Sequence, residues 1–188
     1  MWSDASTATL PRRGNEWQIN QKEVPMTHET SPKPLVVQPN EAESYWQPAP
    51  ANGFVEVHVS RHRHQTVNPF ESGIQEVAPG CFVREHAHEP HEELILVMEG
   101  EGVAQVNDEE HPMRPGTTLY LAPTHKHKFT NTGTGPLRFF WVLMPGGLSD
   151  FFSAIGRPRH QGEAVPEPFP RPDNVAQIEA DTVYMKLK

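Results

Sequence analysis

The sequence predicts an all-β protein whose strands close into one antiparallel barrel or jelly roll. Three observations predict this fold. The segment from residue 51 to 146 contains roughly eight short apolar strands at regular spacing, with no helical period between them. Turn residues, mostly proline, glycine and asparagine, separate these strands. The chain of 188 residues is long enough for one well-buried core and short for two.

The side-chain pattern supports each strand in turn. In residues 53–60, Val55, Val57 and Val59 alternate with polar residues, which is the period of two expected of a half-buried strand. The strands that follow are predicted over residues 72–79, 81–88, 93–99, 102–107, 117–123 and 137–144, and one more strand starts at His127. The turns between them are predicted at Pro79-Gly80, residues 99–102, Asn107-Asp108, Pro115-Gly116 and residues 132–135.

Proline marks the two flanks of this core. Seven of the 20 prolines lie in residues 1–50 and five lie in residues 147–188, where regular strands are not expected. We therefore predict a disordered N-terminal tail over residues 1–34, a barrel domain over residues 35–146, and a C-terminal extension over residues 147–188 that packs on the barrel. Within the featureless tail, Met26 is a candidate for the true start of the protein.

The C-terminal extension is predicted to begin with a short helix. The stretch GLSDFFSAIG, residues 147–156, turns its large apolar side chains toward the barrel and offers Ser149 or Asp150 as the amino-terminal cap. The prolines of residues 157–172 predict an extended segment. One or two further helical turns, capped by Asp173, are predicted after it.

The composition argues against several classes of protein. The 16 lysine and arginine residues are outnumbered by 24 acidic residues, and they are scattered rather than gathered into stripes. Nucleic acid and anionic membranes are therefore not expected as partners. No apolar run is long enough for a membrane span, and the first residues lack a signal-peptide core, so we expect a cytoplasmic protein. The single cysteine, Cys81, excludes an internal disulfide.

Among the 11 histidines, a small set has the spacing of a metal site. His86 and His88 lie two apart on a predicted strand, so both rings face the same side of it. Glu93 opens the next strand, where a hairpin brings its carboxylate beside the two imidazoles, and Glu92 is the alternative carboxylate. His127 starts a later strand. Imidazoles and a carboxylate together are suitable ligands for a divalent transition metal.

These segments resemble the two sequence motifs of the cupin superfamily. The first motif, G-x5-H-x-H-x4-E-x6-G, is matched by Gly80, His86, His88, Glu93 and Gly100. The second motif, G-x5-P-x-G-x2-H-x3-N, is matched by Gly116, His127 and Asn131, while Ala122 and Thr124 replace its proline and glycine. The resemblance covers about residues 72–145 and is to small single-domain bacterial cupins of the cupin_2 and quercetin-dioxygenase-like kind.

The cupin resemblance implies a double-stranded β-helix, the jelly-roll cupin barrel, with irregular N-terminal and proline-rich C-terminal extensions. It also implies that His86, His88, Glu93 and His127 bind one divalent metal, and that the protein forms a homodimer. Three imidazoles and one carboxylate leave about two positions of an octahedral metal open. Iron(II) is favoured by these ligands, and nickel, manganese, zinc or copper are acceptable.

The open coordination and the aromatic residues near the motifs favour a dioxygenase-like oxidoreductase. It would act on a small oxygen-rich or aromatic substrate chelated to the metal, and Glu93 would accept the substrate proton. The first alternative is a redox-neutral decarboxylase, isomerase or lyase acting on a sugar acid or another carboxylate. The second alternative is a protein that binds or senses a small molecule without turnover.

Three further residues are candidates for substrate binding. Arg84 shares the strand parity of the two motif histidines that follow it, so it is predicted to point into the cavity, and an outward, solvated side chain is the alternative. Phe129 and Phe140 are candidates for cavity walls, with ordinary core positions as the favoured alternative. His91 and His125 are expected at the rim of the site rather than on the metal.

Overall fold

The computed structural model describes residues 32–186 of the chain. Within them lie β1 (Glu43–Trp46), β2 (Phe54–Val59), β3 (Glu71–Val77), β4 (Phe82–His86), β5 (Glu92–Glu99), β6 (Gly102–Val106), β7 (Glu109–Met113), β8 (Thr118–Leu121), β9 (His127–Asn131), β10 (Leu137–Met144) and β11 (Arg157–Pro158). The helices are α1 (Leu148–Ile155) and α2 (Val175–Asp181). Met26 and residues 1–31 of the predicted tail lie outside the described residues.

The strands form two antiparallel sheets that enclose one core. The first sheet has the order β11-β1-β2-β3-β10-β5-β8, and the second has the order β4-β9-β6-β7. One cluster of buried apolar side chains includes Ile95 and Phe139 from the first sheet together with Ala104 and Phe129 from the second. The predicted all-β jelly roll is confirmed.

Strand β10 shows how the sequence pattern produces this core. Its residues Leu137, Phe139, Trp141 and Leu143 are no more than 1% exposed, and the residues between them are partly exposed. The strand pairs with β3 on one side and with β5 on the other. The period of two therefore turns four large apolar side chains inward, and burying each one contributes about 1.5 to 3 kcal/mol.

Strands β1, β7 and β11 are present although the sequence pattern does not reveal them. Strand β7 contains Pro112, has four exposed residues and lies at the edge of the second sheet. An edge strand needs no hydrogen bonds on its outer side, so it tolerates proline and polar residues that hide the strand pattern. Strands β1 and β11 are short, and they pair with each other at the edge of the first sheet.

Helix α1 begins against a buried carboxylate. The helix is present as predicted, but its cap is neither Ser149 nor Asp150, because Gly147 is the N-cap residue and makes no side-chain cap hydrogen bond. Instead, the backbone N–H and the hydroxyl of Ser149 donate to Glu71 of β3 at 2.9 and 2.8 Å. The N–H of Arg61 donates to the same carboxylate at 3.2 Å. Glu71 is fully buried, so this carboxylate ties α1 to the first sheet.

The two helices lie in the C-terminal extension. Phe151, Phe152 and Ile155 of α1 join the core cluster, and α2 packs against α1. The predicted cap of α2 is wrong by one residue, because Asn174 rather than Asp173 precedes its first turn. Within residues 32–186, neither helix has the length and apolar character needed to cross a membrane.

We predict that Glu71→Ala lowers the free energy of unfolding by about 2 to 3 kcal/mol, because the donors that meet at this carboxylate lose a charged acceptor. Urea unfolding followed by circular dichroism measures the change. Glu110→Ala, at an exposed position of β7, is the control and should change the free energy by less than about 0.5 kcal/mol. Equal stability of Glu71→Ala and the wild type would contradict the capping role.

Candidate metal centre

Four polar side chains meet inside the barrel. His86 ends β4, Glu93 is the second residue of β5, His127 begins β9, and His88 lies two residues beyond β4. Their exposed fractions are 9%, 5%, 1% and 3% respectively. One ligand atom from each residue lies within 4.8 Å of all the others. The structure thus brings together the four residues that the sequence motifs nominate.

The two sheets contribute to this convergence from opposite sides. His86 and His127 are directly opposite each other on β4 and β9 of the second sheet, with ring centroids 4.0 Å apart. Glu93 comes from β5 of the first sheet. Its Oε2 atom lies 3.1 Å from Nε2 of His127 and 3.6 Å from Nε2 of His88. The centre therefore lies between the sheets, at one end of the core.

A backbone carbonyl fixes each imidazole through its Nδ1 atom. The acceptors are the carbonyl oxygen of Arg84 for His86 at 2.8 Å, that of His125 for His127 at 2.9 Å, and that of Val183 for His88 at 3.0 Å. A carbonyl oxygen only accepts hydrogen bonds, so the proton of each neutral ring is on Nδ1 and Nε2 is bare. Three bare nitrogens consequently face the carboxylate of Glu93.

The bare atoms are suited to a metal ion. Nε2 of His88, Nε2 of His127 and Oε2 of Glu93 are buried and have no hydrogen-bond partner within the described part of the chain. These three atoms all carry free electron pairs, and one divalent cation can be coordinated by all of them at once. One ion at about 2.1 Å from each ligand atom requires these atoms to lie within about 4.2 Å of one another, which small side-chain movements achieve. The donor set fits several transition metals.

The protonation states of the candidate ligands also favour metal binding. Burial lowers the pKa of His86 well below 6.5, and positive charge on His127 or His88 lowers it further. Burial alone would raise the pKa of Glu93, but hydrogen bonds from protonated rings of His127 and His88 outweigh burial and hold this pKa below 4.5, and a bound cation would act on the carboxylate in the same direction. The centre therefore offers a neutral imidazole and an ionised carboxylate, which are the states that bind a metal.

A cavity of about 60 Å³ opens beside His86, His88 and Glu93. Phe129, Phe151 and Phe152 form part of its wall, so an apolar surface lies next to the ligand atoms. Arg84 and Arg171 line the same cavity, and both guanidinium groups donate to Glu179. The cavity thus combines an aromatic wall with a cationic region.

The candidate substrate contacts Arg84 and Phe140 are placed differently. Arg84 lines the cavity, but a β-bulge between Val83 and His86 shifts the register of β4, and 44% of the Arg84 side chain is exposed. Phe140 is not among the residues that line this cavity. Phe140 alternates with the buried residues of β10, so it faces the outer side of the sheet, where its ring lies 6.3 Å from that of His58.

The alternatives near the ligands are placed as follows. Glu93 is buried with the histidines, whereas Glu92 is only partly buried and points to the other face of β5. The ring of His91 lies 6.3 Å from that of His88, outside the group of four. His125 is partly exposed and contributes its carbonyl rather than its ring.

Sequence reasoning missed the contribution of the C-terminal extension. Val183 supplies the carbonyl that accepts from His88, and the ring of Tyr184 lies 5.1 Å from the rings of both His86 and His88. Burial raises the pKa of Tyr184, so its hydroxyl stays protonated. Arg171 lines the cavity. These residues have no fixed spacing to the motifs, and no pattern in the sequence pointed to them.

The motif positions outside the four candidate ligands fix the backbone of turns and strands. Thr124, which replaces a motif glycine, has a φ of 73°, and its N–H donates to the carbonyl of His88 at 2.8 Å. This left-handed conformation explains why glycine suits the position. Gly100 has a φ of 86°, and a Cβ atom there would lie 2.2 Å from the carbonyl oxygen of Pro136. The amide of Asn131 donates to two backbone carbonyls at 2.8 and 2.9 Å.

Comparison with known proteins finds this pattern elsewhere. Residues 73–143 match the family model described as the cupin domain. Dimethylsulfoniopropionate lyase DddW of Ruegeria pomeroyi is 36% identical over 83 residues, covering 44% of this chain and 51% of that protein. An oxalate-binding protein of Thermotoga maritima is 32% identical over 66 residues, covering 35% of this chain and 54% of that protein. The chain spans about half the length of the curated relatives it matches.

A solved structure has the same fold. The polyketide cyclase RemF from Streptomyces resistomycificus superposes with a TM-score of 0.52, covering 60% of this chain and 80% of that chain. Its sequence identity to this chain is 18%, so this likeness shows the fold alone.

We predict that the protein binds one divalent metal ion per chain and that His127→Ala loses it. Removing a ligand should weaken binding by more than the factor of about 10 to 100 that the loss of an outer hydrogen-bond partner causes. Elemental analysis after equilibrium dialysis measures the metal content. His111→Ala, on the exposed strand β7, should retain the full content. Metal retained in His127→Ala would contradict the proposed ligand set.

We predict a specific pH dependence for the metal-free protein. The pKa of His86 is about 6.5 in the unfolded chain and lower in the folded one. Below pH 6.5 the unfolded chain therefore binds the additional proton, and stability falls as the pH falls, by up to about 1.4 kcal/mol per pH unit. Urea unfolding in EDTA at pH 7, 6 and 5 should give a shallower slope for His86→Gln than for the wild type. Parallel slopes would contradict the prediction.

Proposed function

From the cupin domain that the family model matches at residues 73–143, we propose that the chain is a metal-dependent enzyme acting on a small molecule. The leading reaction is a dioxygenase-like oxidation of a small oxygen-rich or aromatic substrate, with iron(II) as the metal. The enzymatic activity, the metal and the substrate class are all part of this proposal.

One observation carries the proposal. Buried, bare ligand atoms of His88, His127 and Glu93 converge beside a cavity rather than within a closed shell. Three imidazoles and one carboxylate leave about two positions open on an octahedral ion, and a substrate oxygen can occupy one of them. A metal that only stabilised the fold would be closed off by protein ligands.

The residues around the cavity have distinct tasks in this reaction. When bound, iron(II) would supply Lewis acidity toward substrate oxygens and electrons for dioxygen. The aromatic wall of Phe129, Phe151 and Phe152 excludes water from one side of the substrate. The carboxylate of Glu93 would accept a proton from a substrate hydroxyl or enol. The protonated hydroxyl of Tyr184 is a donor for a substrate oxygen.

A redox-neutral lyase or decarboxylase is the second candidate, and the cationic region of the cavity favours it. Arg84 and Arg171 share the single carboxylate of Glu179, so one positive charge is left over to attract an anionic substrate. Similarity to a dimethylsulfoniopropionate lyase and to an oxalate-binding protein supports this candidate as well. The substrate would then be a small carboxylate.

We predict that the iron(II)-loaded protein consumes dioxygen with at least one member of a panel of diketones, flavonols, thiols and catechols. An oxygen electrode measures the uptake. Glu93→Gln should lower kcat by about 100- to 10,000-fold, because it removes the base and one of the four metal ligands together. Glu92→Gln is the matched control, since its side chain lies on the other face of β5, and it should leave kcat unchanged.

The same assay separates the candidates. Absence of oxygen uptake across the whole panel would refute the dioxygenase-like reaction. Anaerobic turnover of a small carboxylate by the zinc or manganese form would support the redox-neutral reaction instead. Absence of any turnover, together with tight binding of a small molecule, would identify a binding protein.

The homodimer and the cytoplasmic location remain predictions. An exposed apolar face supports the homodimer, because Leu94, Leu96 and Met98 of β5 lie beside Tyr120 of β8 with exposed fractions between 37% and 58%. Apolar surfaces of this kind favour association between proteins.

A further inference from the structure

His88 differs from the other two histidines in the origin of its hydrogen-bond acceptor. His86 and His127 each donate to a carbonyl two residues earlier, on or beside the same strand. His88 donates to the carbonyl of Val183, which is 95 residues away in the sequence, and this hydrogen bond is fully buried. The orientation of one candidate ligand therefore depends on a distant part of the chain.

Residues 182–186 form a short segment that we call the C-terminal strap. The strap pairs with the chain beyond β4, because Tyr184 forms an antiparallel bridge with His88 and the N–H of Met185 donates to the carbonyl of Ala87 at 2.8 Å. Val183 is 4% exposed and belongs to the hydrophobic core. These contacts fix the carbonyl of Val183 in front of His88.

The strap also packs against helix α1. A Cβ atom at Gly147 would lie 2.6 Å from the side chain of Val183, so the chain entering α1 and the strap are in close contact. The ring of Tyr184 lies 4.4 Å from that of Phe151 and 5.1 Å from those of His86 and His88. The side chain of Tyr184 thus lies between α1 and the two histidines.

Among the described residues, the backbone at His88 makes few other hydrogen bonds. Strand β4 ends at His86, so His88 lies beyond the pairing of β4 with β9. Apart from the strap, the backbone of His88 accepts a hydrogen bond from the N–H of Thr124 at 2.8 Å. That bond positions the carbonyl of His88 but does not determine how its ring is turned. Rotation by 180° about Cβ–Cγ would place ring carbons where the two nitrogens lie, and the hydrogen bond from Nδ1 to its acceptor opposes this rotation.

We propose that the C-terminal strap is a positioning element of the metal centre. By accepting from Nδ1 of His88, the strap holds the ring with its bare Nε2 toward the other three ligand atoms, so metal binding and docking of the strap strengthen each other. The inference rests on metal binding by the four residues and is independent of the reaction. Coupling between two equilibria is reciprocal, so the metal must stabilise the docked strap by the same factor.

Hydrogen exchange on the full wild-type chain tests this coupling without any substitution. Saturating zinc(II) should slow the exchange of the Met185 amide relative to the protein in EDTA, by about 10- to 100-fold if the coupling is as large as that of other outer hydrogen-bond partners. Peptides from β7, whose residues do not contact the centre, should exchange equally with and without zinc. Zinc bound at one ion per chain with unchanged exchange at Met185 would overturn the proposal.

A matched pair of variants tests the same coupling from the other direction. Met185→Pro removes the N–H that donates to Ala87, whereas Met185→Ala removes the side chain and keeps the N–H. Competition with a chromophoric chelator measures the Kd for zinc. The Kd should rise by about 10- to 100-fold in Met185→Pro and by no more than about 2-fold in Met185→Ala. Circular dichroism in EDTA shows whether the barrel of each variant is folded.

The outcomes separate this inference from the metal site itself. A wild-type chain that binds no zinc would refute the metal site and the role of the strap together. A wild-type chain that binds zinc, with the same Kd in folded Met185→Pro, would refute the role of the strap alone. If Met185→Pro does not fold, the exchange of the Met185 amide in the wild type still decides the question.

Discussion

The structure depends on holding four polar side chains out of water at one point. Burying a polar group without a partner costs free energy, and each of these side chains is at most 9% exposed. Backbone carbonyls satisfy one nitrogen of each histidine by accepting a hydrogen bond from its Nδ1 atom. The remaining nitrogens and the carboxylate of Glu93 face one another, where repulsion between acceptors is relieved by a cation. The apolar core between the two sheets keeps this arrangement in place.

Two buried carboxylates illustrate two different solutions to the same problem. Glu71 is satisfied within the chain, since the groups that donate to it belong to α1 and to the segment after β2. Glu93 is surrounded by imidazoles that offer it no well-aligned donor. The carboxylate of Glu71 therefore connects α1 to the first sheet, while the carboxylate of Glu93 is available to bind a ligand. The hydrogen bonds of Glu71 also affect the metal centre. They fix α1, whose Phe151 packs on Tyr184, and Tyr184 contacts two of the histidines.

The parts of the fold that the sequence predicted are those in which local pattern and packing agree. Alternating apolar residues, as in β10, mark strands whose inner face is buried, and the motif spacing identified the four polar residues that meet between the sheets. The edge strand β7 escaped detection because its exposed residues follow no pattern. The strand parity assumed for Arg84 does not hold across the β-bulge of β4, and a bulge leaves no reliable trace in a single sequence. The contact between His88 and Val183 arises from tertiary folding alone.

The distance along the chain between His88 and Val183 has a consequence for biosynthesis. A ribosome that adds about 5 to 20 residues per second needs between about 5 and 20 s to make the 95-residue stretch between them. During that interval the sheets can begin to assemble while one imidazole still lacks its acceptor. Binding of a metal ion at the four residues is thus expected to follow translation of the C-terminal strap rather than that of the barrel strands.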